Sequence, residues 1–192
     1  MNPETEKKHH ILDAALEVFL RYGFKKSTMG DIADKAGMSR PSLYLVYSNK
    51  EEIFRAVITR MEEEVLRESE ENLANCSGVK EGIAAVLDTW IFKSFEMIRT
   101  SPEADELLDF AYSFAPDLRK KMLEAMEKQL LQALQFAPSR KSTRNTVADE
   151  SIARLIAIST VDMKRKVNDS AELRDLLTTT VEVFASYVER EG

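Results

Sequence analysis

Residues 28–50, TMGDIADKAGMSRPSLYLVYSNK, contain local signals for two short helices separated by a glycine turn. Thr28 followed by Asp31 is typical of a capping box, in which side-chain oxygens accept the backbone N–H groups that a helix leaves unpaired at its start. Gly37 can adopt the left-handed backbone conformation that closes a helix, because it has no Cβ. These signals predict a first short helix that begins after Thr28 and ends before Gly37.

A second short helix is predicted directly after the glycine. Ser39 can cap it, and Pro41 fits its first turn, where a missing N–H does no harm. Asn49 with Glu52 repeats the cap signature and starts a third helix, so the second helix is expected at roughly 40–47. Two helices joined by a turn of about three residues have the layout of a helix-turn-helix that reads DNA.

The same stretch resembles a known family. Similarity to the N-terminal DNA-binding signature of TetR-type transcriptional regulators is carried by AGMSRPSLY at 36–44 and by Tyr47, Lys50, Glu51, Glu52, Ile53 and Phe54 after it. It extends upstream through Ala14, Ala15, Phe19, Gly23, Thr28, Asp31, Ile32 and Ala33 and covers about a quarter of the chain. The resemblance implies an all-α fold, with an N-terminal three-helix helix-turn-helix domain and a C-terminal helical domain for ligand binding and dimerisation. It also implies a ligand-controlled repressor that acts as a homodimer.

Hydroxyl and cationic side chains around the two helices are the predicted phosphate contacts: Lys25, Lys26, Thr28, Tyr44 and Lys50. Lys50 is informative because a cation in the first turn of a helix opposes the helix dipole by about 0.3–1 kcal/mol. A bound anion would reverse that penalty. The alternatives are that Lys50 extends into solvent and that Tyr44 packs inside the domain.

Base contacts are expected from the start of the second short helix. Arg40 is the main candidate, since a guanidinium can bind O6 and N7 of guanine together. Arg40 could equally bind phosphate. Ser39, Pro41 and Ser42 lie beside it in the sequence and complete the predicted DNA-binding residues.

Three positions depart from the family pattern. Leu45 and Val46 stand where related proteins often carry polar or aromatic groups, and Tyr47 stands where Phe is usual. Leu45 and Val46 can contact thymine methyl groups or pack inside the domain. Detailed base recognition is therefore not carried over from the family.

Charge is distributed unevenly along the chain, whose net charge is −6. Residues 1–50 hold eight Lys and Arg against six Asp and Glu, whereas residues 51–192 hold nineteen against twenty-seven. A phosphate backbone interacts mainly with the protein face presented to it. This asymmetry favours DNA binding by the N-terminal part.

Composition and motifs argue against several other classes of protein. The single cysteine, Cys76, excludes an intramolecular disulfide and a cysteine zinc site, and is either an ordinary thiol or a redox switch. Adjacent His9 and His10 diverge on a helix and do not predict a metal site. The sequence lacks a glycine-rich phosphate loop, an HExxH helix and a GxSxG elbow, so we expect neither an enzyme nor a cofactor.

No apolar run reaches the roughly 18 residues needed to span a bilayer, and the start, MNPETEKKHH, is too polar for a signal peptide. We therefore expect a cytoplasmic protein that has no membrane partner.

The division expected from the sequence is a DNA-binding domain at 1–50 and a helical ligand-binding and dimerisation domain at 51–192. A long connecting helix at about 49–73 begins in the first, and Asn75 to Gly78 is the clearest break. The remaining helices are predicted at about 4–22, 79–100, 116–136, 148–166 and 170–190, with shorter material at 102–114 and a loop at 138–146.

Regulation is expected from the C-terminal domain. Aromatic and methionine side chains that could line a pocket for a bulky apolar or planar effector are Trp90, Phe92, Phe95, Phe110, Tyr112, Phe114, Met122 and Met126. Acidic residues that could favour a cationic effector are Asp88, Asp105, Glu106 and Asp109, although each could equally be solvated surface. The aromatic and methionine residues could equally be core.

Two final amphipathic helices are expected to form the dimer interface that the resemblance implies. The predicted interface residues are Ile152, Leu155, Ile156, Ser159, Met163, Leu177, Thr180, Phe184 and Tyr187. These faces could instead complete the core of one subunit. An alternative function keeps the fold but makes the C-terminal body an adaptor that binds a protein partner. The expected partners are thus a double-stranded DNA operator, a second copy of the chain and an unidentified small molecule.

Overall fold

The protein is described from a computed structural model, which covers residues 3–104, 106–107, 114–136 and 147–189. These residues form helices and connecting turns, and no strand occurs among them. The all-α fold predicted from the sequence is confirmed. None of the described helices is long and apolar enough to cross a membrane.

Along the chain the α-helices are α1 (Pro3–Lys26), α2 (Met29–Lys35), α3 (Arg40–Tyr44), α4 (Lys50–Ala74), α5 (Val79–Leu87), α6 (Ser94–Arg99), α7 (Pro116–Leu134), α8 (Asp149–Val161) and α9 (Ser170–Glu189). A π-helix at Asp88–Lys93 joins α5 to α6, and a 3₁₀ turn at Met163–Arg165 follows α8. The predicted loop at 138–146 lies outside the described residues.

The chain divides into two compact units. Unit one consists of Met1–Glu63 and Met97–Pro116, and unit two consists of Glu64–Glu96 and Asp117–Gly192. The chain therefore leaves unit two at residue 96 and re-enters it at residue 117. The boundaries of these units differ from those of the domains predicted from the sequence, because residues 97–116 group with the N-terminal helices.

Unit one is built around α1, which changes direction at Gly23. Gly23 has φ 74° and ψ 169°, a conformation that lies outside the helical region and that side chains with a Cβ rarely adopt. Beyond this kink, the ring of Phe24 packs edge-on against Phe54 of α4, with centroids 5.1 Å apart. Phe19 and Phe114 complete an aromatic cluster in the core of this unit.

Unit two has a separate core, in which α5, the π-helix, α7, α8 and α9 contribute buried apolar side chains. Gln129 is a buried polar group at its centre. Its Oε1 accepts a hydrogen bond from Trp90 Nε1 at 2.6 Å, and its Nε2 donates to the carbonyl oxygen of Leu66 at 3.3 Å. Both ends of the buried amide are thereby satisfied.

The regular helix expected at 79–100 is wrong in one detail, the π-helix at Asp88–Lys93. Thr89, Trp90, Ile91 and Phe92 are consecutive and all buried, and a wider turn allows more neighbouring side chains to face the core than an α-helix would. The Ser94 hydroxyl donates to the carbonyl oxygen of Trp90 at 2.7 Å, which satisfies an acceptor at this irregular point. Periodicity alone does not reveal such an insertion.

Candidate DNA-binding and effector sites

The start of α2 is fixed by the capping box expected at Thr28. The Asp31 N–H donates to Thr28 Oγ1 at 3.2 Å, and the Thr28 N–H donates to Asp31 Oδ2 at 2.8 Å. The Thr28 hydroxyl also donates to Asp31 Oδ2 at 2.7 Å, and these bonds, with the nearby Arg40 charge, lower the pKa of Asp31. Thr28 is exposed, so its hydroxyl is accessible from solvent.

The turn after α2 has the glycine closure predicted for it. Gly37 has φ 61°, and its N–H donates to the carbonyl oxygen of Asp34 at 3.1 Å. The Met38 N–H donates to the carbonyl oxygen of Ala33 at 3.0 Å, which completes a Schellman motif. His10 Nε2 lies 3.0 Å from the carbonyl oxygen of Ala36 and so ties α1 to this turn.

The start of α3 is capped by Ser39, whose hydroxyl accepts the Ser42 N–H at 3.3 Å, and Pro41 lies in the first turn. The two hydroxyls of Ser39 and Ser42 are 2.8 Å apart. The helix ends at Tyr44, whereas the sequence predicted helical residues to about Tyr47; residues 45–47 form a turn before α4. A capped helix-turn-helix is therefore present.

Arg40 lies across the beginning of α2. A Cβ built on Gly30 would overlap the guanidinium of Arg40, so the absence of a side chain at Gly30 provides the space that Arg40 occupies. Arg40 is exposed and lies at the junction of the two short helices. The sequence predicted a role for Arg40 but none for Gly30, because only the folded chain brings the two together.

Solvent exposure distinguishes Leu45 from Val46, which the sequence could place either on the DNA-facing surface or inside the domain. Leu45 is 86% exposed and Tyr44 is 53% exposed, so neither packs inside the domain. Val46 and Tyr47 are partly buried and pack against the unit-one core. The exposed apolar group at the end of α3 is therefore Leu45.

Lys50 neither extends into solvent nor lies free for an anion. Its ammonium donates to the carbonyl oxygens of Phe24 at 2.8 Å, Ser27 at 3.0 Å and Lys25 at 3.3 Å. It also lies 4.4 Å from the centroid of the Phe24 ring. These carbonyls end α1, so the Lys50 cation is placed where the negative end of that helix dipole favours it.

Lys25 and Lys26 are held by two carboxylates from the 97–116 segment. Lys26 Nζ donates to Glu103 Oε1 at 2.6 Å, which raises the pKa of Lys26. The Lys25 backbone N–H donates to Glu106 Oε1 at 2.9 Å, and its ammonium lies 3.9 Å from Glu106 Oε2. From the sequence, Glu106 was a possible effector contact and Glu103 had no predicted role. Neither contact was predictable, because the lysine partners are about 80 positions away.

The predicted effector-pocket residues that the structure describes lie in two different cores. Trp90, Phe95 and Met126 are buried in the unit-two core, with Met122 packed against it. Phe114 packs against the unit-one core instead. Phe110 and Tyr112, like Asp105 and Asp109, lie outside the described residues.

Unit two has an open groove of about 740 Å³ between α5 and α9, and Phe92 is the only predicted pocket residue on its walls in the described part of the chain. Its apolar lining consists of Ala84, Ala85, Leu87, Phe92, Leu177 and Val181. The Arg174 guanidinium lies 3.7 Å from the centroid of the Phe92 ring and 3.7 Å from Asp88 Oδ1. Lys80 pairs with Glu182 at 2.6 Å on the same rim.

The predicted dimer residues separate into buried and accessible groups. Ile152, Ile156 and Leu177 are buried in the core of unit two, whereas Leu155 and Ser159 are exposed and Met163, Thr180, Phe184 and Tyr187 are partly exposed. Further apolar side chains exposed on these helices are Ile158, Leu176 and Val183. Exposed and buried apolar residues are neighbours in the sequence, as Leu155 and Ile156 are. Periodicity alone therefore cannot assign either of them to the core or to the surface.

Comparison with known proteins places these features in a family. The family described as "Bacterial regulatory proteins, tetR family" matches residues 11–57. The chain is 33% identical over 122 residues to the uncharacterized HTH-type transcriptional regulator YfiR of Bacillus subtilis, covering 55% of this chain and 60% of that protein. It is 43% identical over 58 residues to the HTH-type transcriptional activator FasR of Mycolicibacterium smegmatis, covering 30% and 26% of the two chains.

These alignments span less than two thirds of each relative. A solved structure of a TetR transcription regulator from Haloarcula marismortui superposes with a TM-score of 0.77 at 17% identity, over 95% of this chain and 98% of that chain. At that identity the superposition shows the shared fold alone.

Proposed function

This chain belongs to the TetR family of transcriptional regulators, and on that premise we propose that it is a cytoplasmic, homodimeric repressor that a small, largely apolar molecule releases from a palindromic operator. The observation that carries the proposal is the capped helix-turn-helix with its exposed α3 surface. The caps fix the backbone of both helices without using the side chains of Tyr44 and Leu45.

We propose that phosphate contacts orient the protein on DNA and that side chains of α3 select the base sequence. Thr28 and Tyr44 present accessible hydroxyls, and Lys25, Lys26 and Lys50 supply positive charge at the end of α1 and the start of α4. Arg40 is the candidate for guanine, and Leu45 is the candidate for a thymine methyl group because it is an exposed apolar side chain at the end of α3.

A second copy of the chain is the proposed partner for the exposed stripe of α8 and α9. Leu155 is 56% exposed and Ile158 is 46% exposed on α8, and Leu176 and Val183 are exposed on α9. Two helices from each subunit would bury these side chains together. A twofold dimer would then present two α3 helices to half-sites one DNA turn apart, about 34 Å.

The groove between α5 and α9 is the candidate effector site in unit two. Its volume of about 740 Å³ falls within the range of small-molecule sites, and its lining combines six apolar side chains with six charged ones. An effector can bind preferentially to a dimer whose α3 helices no longer match successive major grooves. Such an effector must weaken operator binding, because the coupling between the effector site and the DNA site is reciprocal.

The test is binding of purified protein to a fluorescent DNA fragment from upstream of its own gene, measured by anisotropy at physiological salt with excess random DNA as competitor. We expect specific binding that compounds selected by thermal shift reduce. The variant Ala84→Trp, which fills the groove, should abolish the compound effect while operator binding persists. Operator binding that no compound or groove variant changes would instead favour the adaptor alternative.

A further inference from the structure

The segment that contains Glu103 and Glu106 comes from the middle of the chain and packs into the unit that carries the helix-turn-helix. Its contact with that unit is not limited to charges, because Leu107 is buried in the unit-one core and Phe114 packs against the same core. The segment is joined to unit two at residues 96–97 and 116–117. It is thus a piece of chain through which a change in unit two can reach the helix-turn-helix unit.

Close packing at the α1 kink explains how the two carboxylates are positioned. A Cβ on Gly23 would lie 2.9 Å from Glu106 Oε1 and 3.2 Å from Glu103 Cβ. The bare glycine therefore lets the segment approach the backbone of α1. The Lys25 N–H, two residues after this kink, donates to Glu106 Oε1 at 2.9 Å.

The carboxylates occupy donor groups of the two lysines that a phosphate oxygen could also use. Lys26 Nζ has Glu103 Oε1 at 2.6 Å, and Lys25 has Glu106 at both its backbone N–H and its ammonium. A carboxylate and a phosphate both offer anionic oxygen acceptors to an ammonium or an N–H. Binding of one group therefore competes with binding of the other.

We propose that Glu103 and Glu106 form an autoinhibitory contact, in which their carboxylates occupy Lys25 and Lys26 in place of DNA phosphates. The proposal rests on the proposed function, since it requires that unit one binds DNA. It assigns the segment a direct electrostatic role: a state that holds the carboxylates on the lysines binds DNA weakly, and a state that withdraws them binds DNA tightly.

The Glu→Gln pair E103Q/E106Q tests the contact while it keeps the size of both side chains. We expect this variant to bind the upstream fragment about three- to tenfold more tightly at low salt. Each lysine that gains a phosphate contact should make the slope of log K against log[salt] steeper by about 0.9. The matched control is E71Q/E124Q, which removes two carboxylates paired with Arg67 and Lys120 at 2.8 and 3.7 Å and changes net charge equally.

The lysines themselves complete the test. In a K25Q/K26Q background, E103Q/E106Q should no longer change affinity or salt slope. Unchanged affinity and slope for E103Q/E106Q in the native background would overturn the proposal, as would an equal gain in the control or in the K25Q/K26Q background. If E103Q/E106Q does not fold, the single variant E103Q makes the same test on Lys26.

The proposed function can fail separately. Binding by E103Q/E106Q but not by the unaltered protein supports both proposals, because it is the strongest form of autoinhibition. Binding by neither protein overturns DNA recognition and the contact together. Normal binding by the unaltered protein without any change on substitution overturns the contact alone.

Discussion

Lys50 Nζ lies 2.8 Å from the carbonyl oxygen of Phe24, so the first residue of α4 closes the last turn of α1. Two more carbonyls, of Lys25 and Ser27, share the same ammonium. Lys50 is therefore part of the scaffold that holds the α1–α2 connection. A direct role of Lys50 in phosphate binding stays a prediction.

Lys50→Ala should lower the free energy of unfolding by about 1.5–3 kcal/mol, the usual range for a hydrogen-bonded charged group. Urea unfolding followed by circular dichroism measures the change. Lys35→Ala is the control, because Lys35 makes an exposed ion pair with Glu17 and its loss should cost less than about 1 kcal/mol. Equal losses for the two variants would show that the carbonyl contacts of Lys50 add no stability.

Gly30→Ala should alter base discrimination without unfolding the helix-turn-helix. Alanine suits the helical backbone of α2 better than glycine by about 0.5–1 kcal/mol, but its Cβ would force the flexible end of Arg40 to move. The ratio of specific to random DNA affinity should therefore fall as it does in Arg40→Ala. A ratio that falls in Arg40→Ala but not in Gly30→Ala would show that the observed place of Arg40 is irrelevant to recognition.

Leu45→Ala should leave stability within about 0.5 kcal/mol of the unaltered protein, because Leu45 is 86% exposed. It should nevertheless weaken operator binding more than binding to random DNA. Leu43→Ala, two residues earlier and fully buried, should cost about 2–5 kcal/mol of stability. Competition anisotropy and urea unfolding separate the two effects, and a large stability loss in Leu45→Ala would contradict its assignment to the DNA surface.

The double variant Leu155→Glu with Val183→Glu should convert the dimer to a monomer, since it places charges on the stripe that a second copy would bury. Sedimentation equilibrium at micromolar concentration gives the mass. Ala171→Glu adds a charge at an exposed position in the first turn of α9 and should leave the dimer intact. A monomeric unaltered protein would refute the interface itself.

Lys164 should make the stability of unit two depend on pH. Burial lowers its pKa from 10.5 to about 8, opposed by the charge of Asp162, and its ammonium donates to Ser94 Oγ at 3.0 Å. The unfolded chain therefore binds more protons than the folded chain between pH 8 and 10.5, so the Lys164 contribution to stability rises with pH across that window. At neutral pH the charged form opposes folding.

Lys164→Met should remove this pH dependence and raise stability at pH 7. Each unit of pKa displacement corresponds to about 1.4 kcal/mol, so a difference on the order of 2 kcal/mol between the two proteins should shrink as pH approaches 10.5. Urea unfolding at pH 7, 8.5 and 10 measures it. A constant difference would mean that Lys164 has the same pKa in both states.

Features encoded by neighbouring residues were predictable from the sequence. The caps at Thr28 and Ser39 and the glycine closure at Gly37 depend on side chains within three or four positions, and all three occur as expected. The family resemblance and the all-α fold are confirmed. Local chemistry therefore defined the helix-turn-helix almost completely.

Features that depend on distant contacts were not predictable. The carbonyl acceptors of Lys50 and the carboxylate partners of Lys25 and Lys26 come from other helices, so no local pattern reports them. Ile156 and Leu155 are neighbours in an apolar run, yet one is buried and the other exposed. Only the packing of α8 against the rest of unit two distinguishes them.

The π-helix at Asp88–Lys93 also sets a rotational phase. It holds about one residue more than the same number of α-helical turns, and one residue corresponds to about 100° around a helix axis. Removing a single residue here would permit one unbroken α-helix in which the side chains of α6 keep their faces relative to α5, because the wider turn already absorbs the extra residue. The same one-residue gap inside α5 would instead turn every following side chain by about 100°.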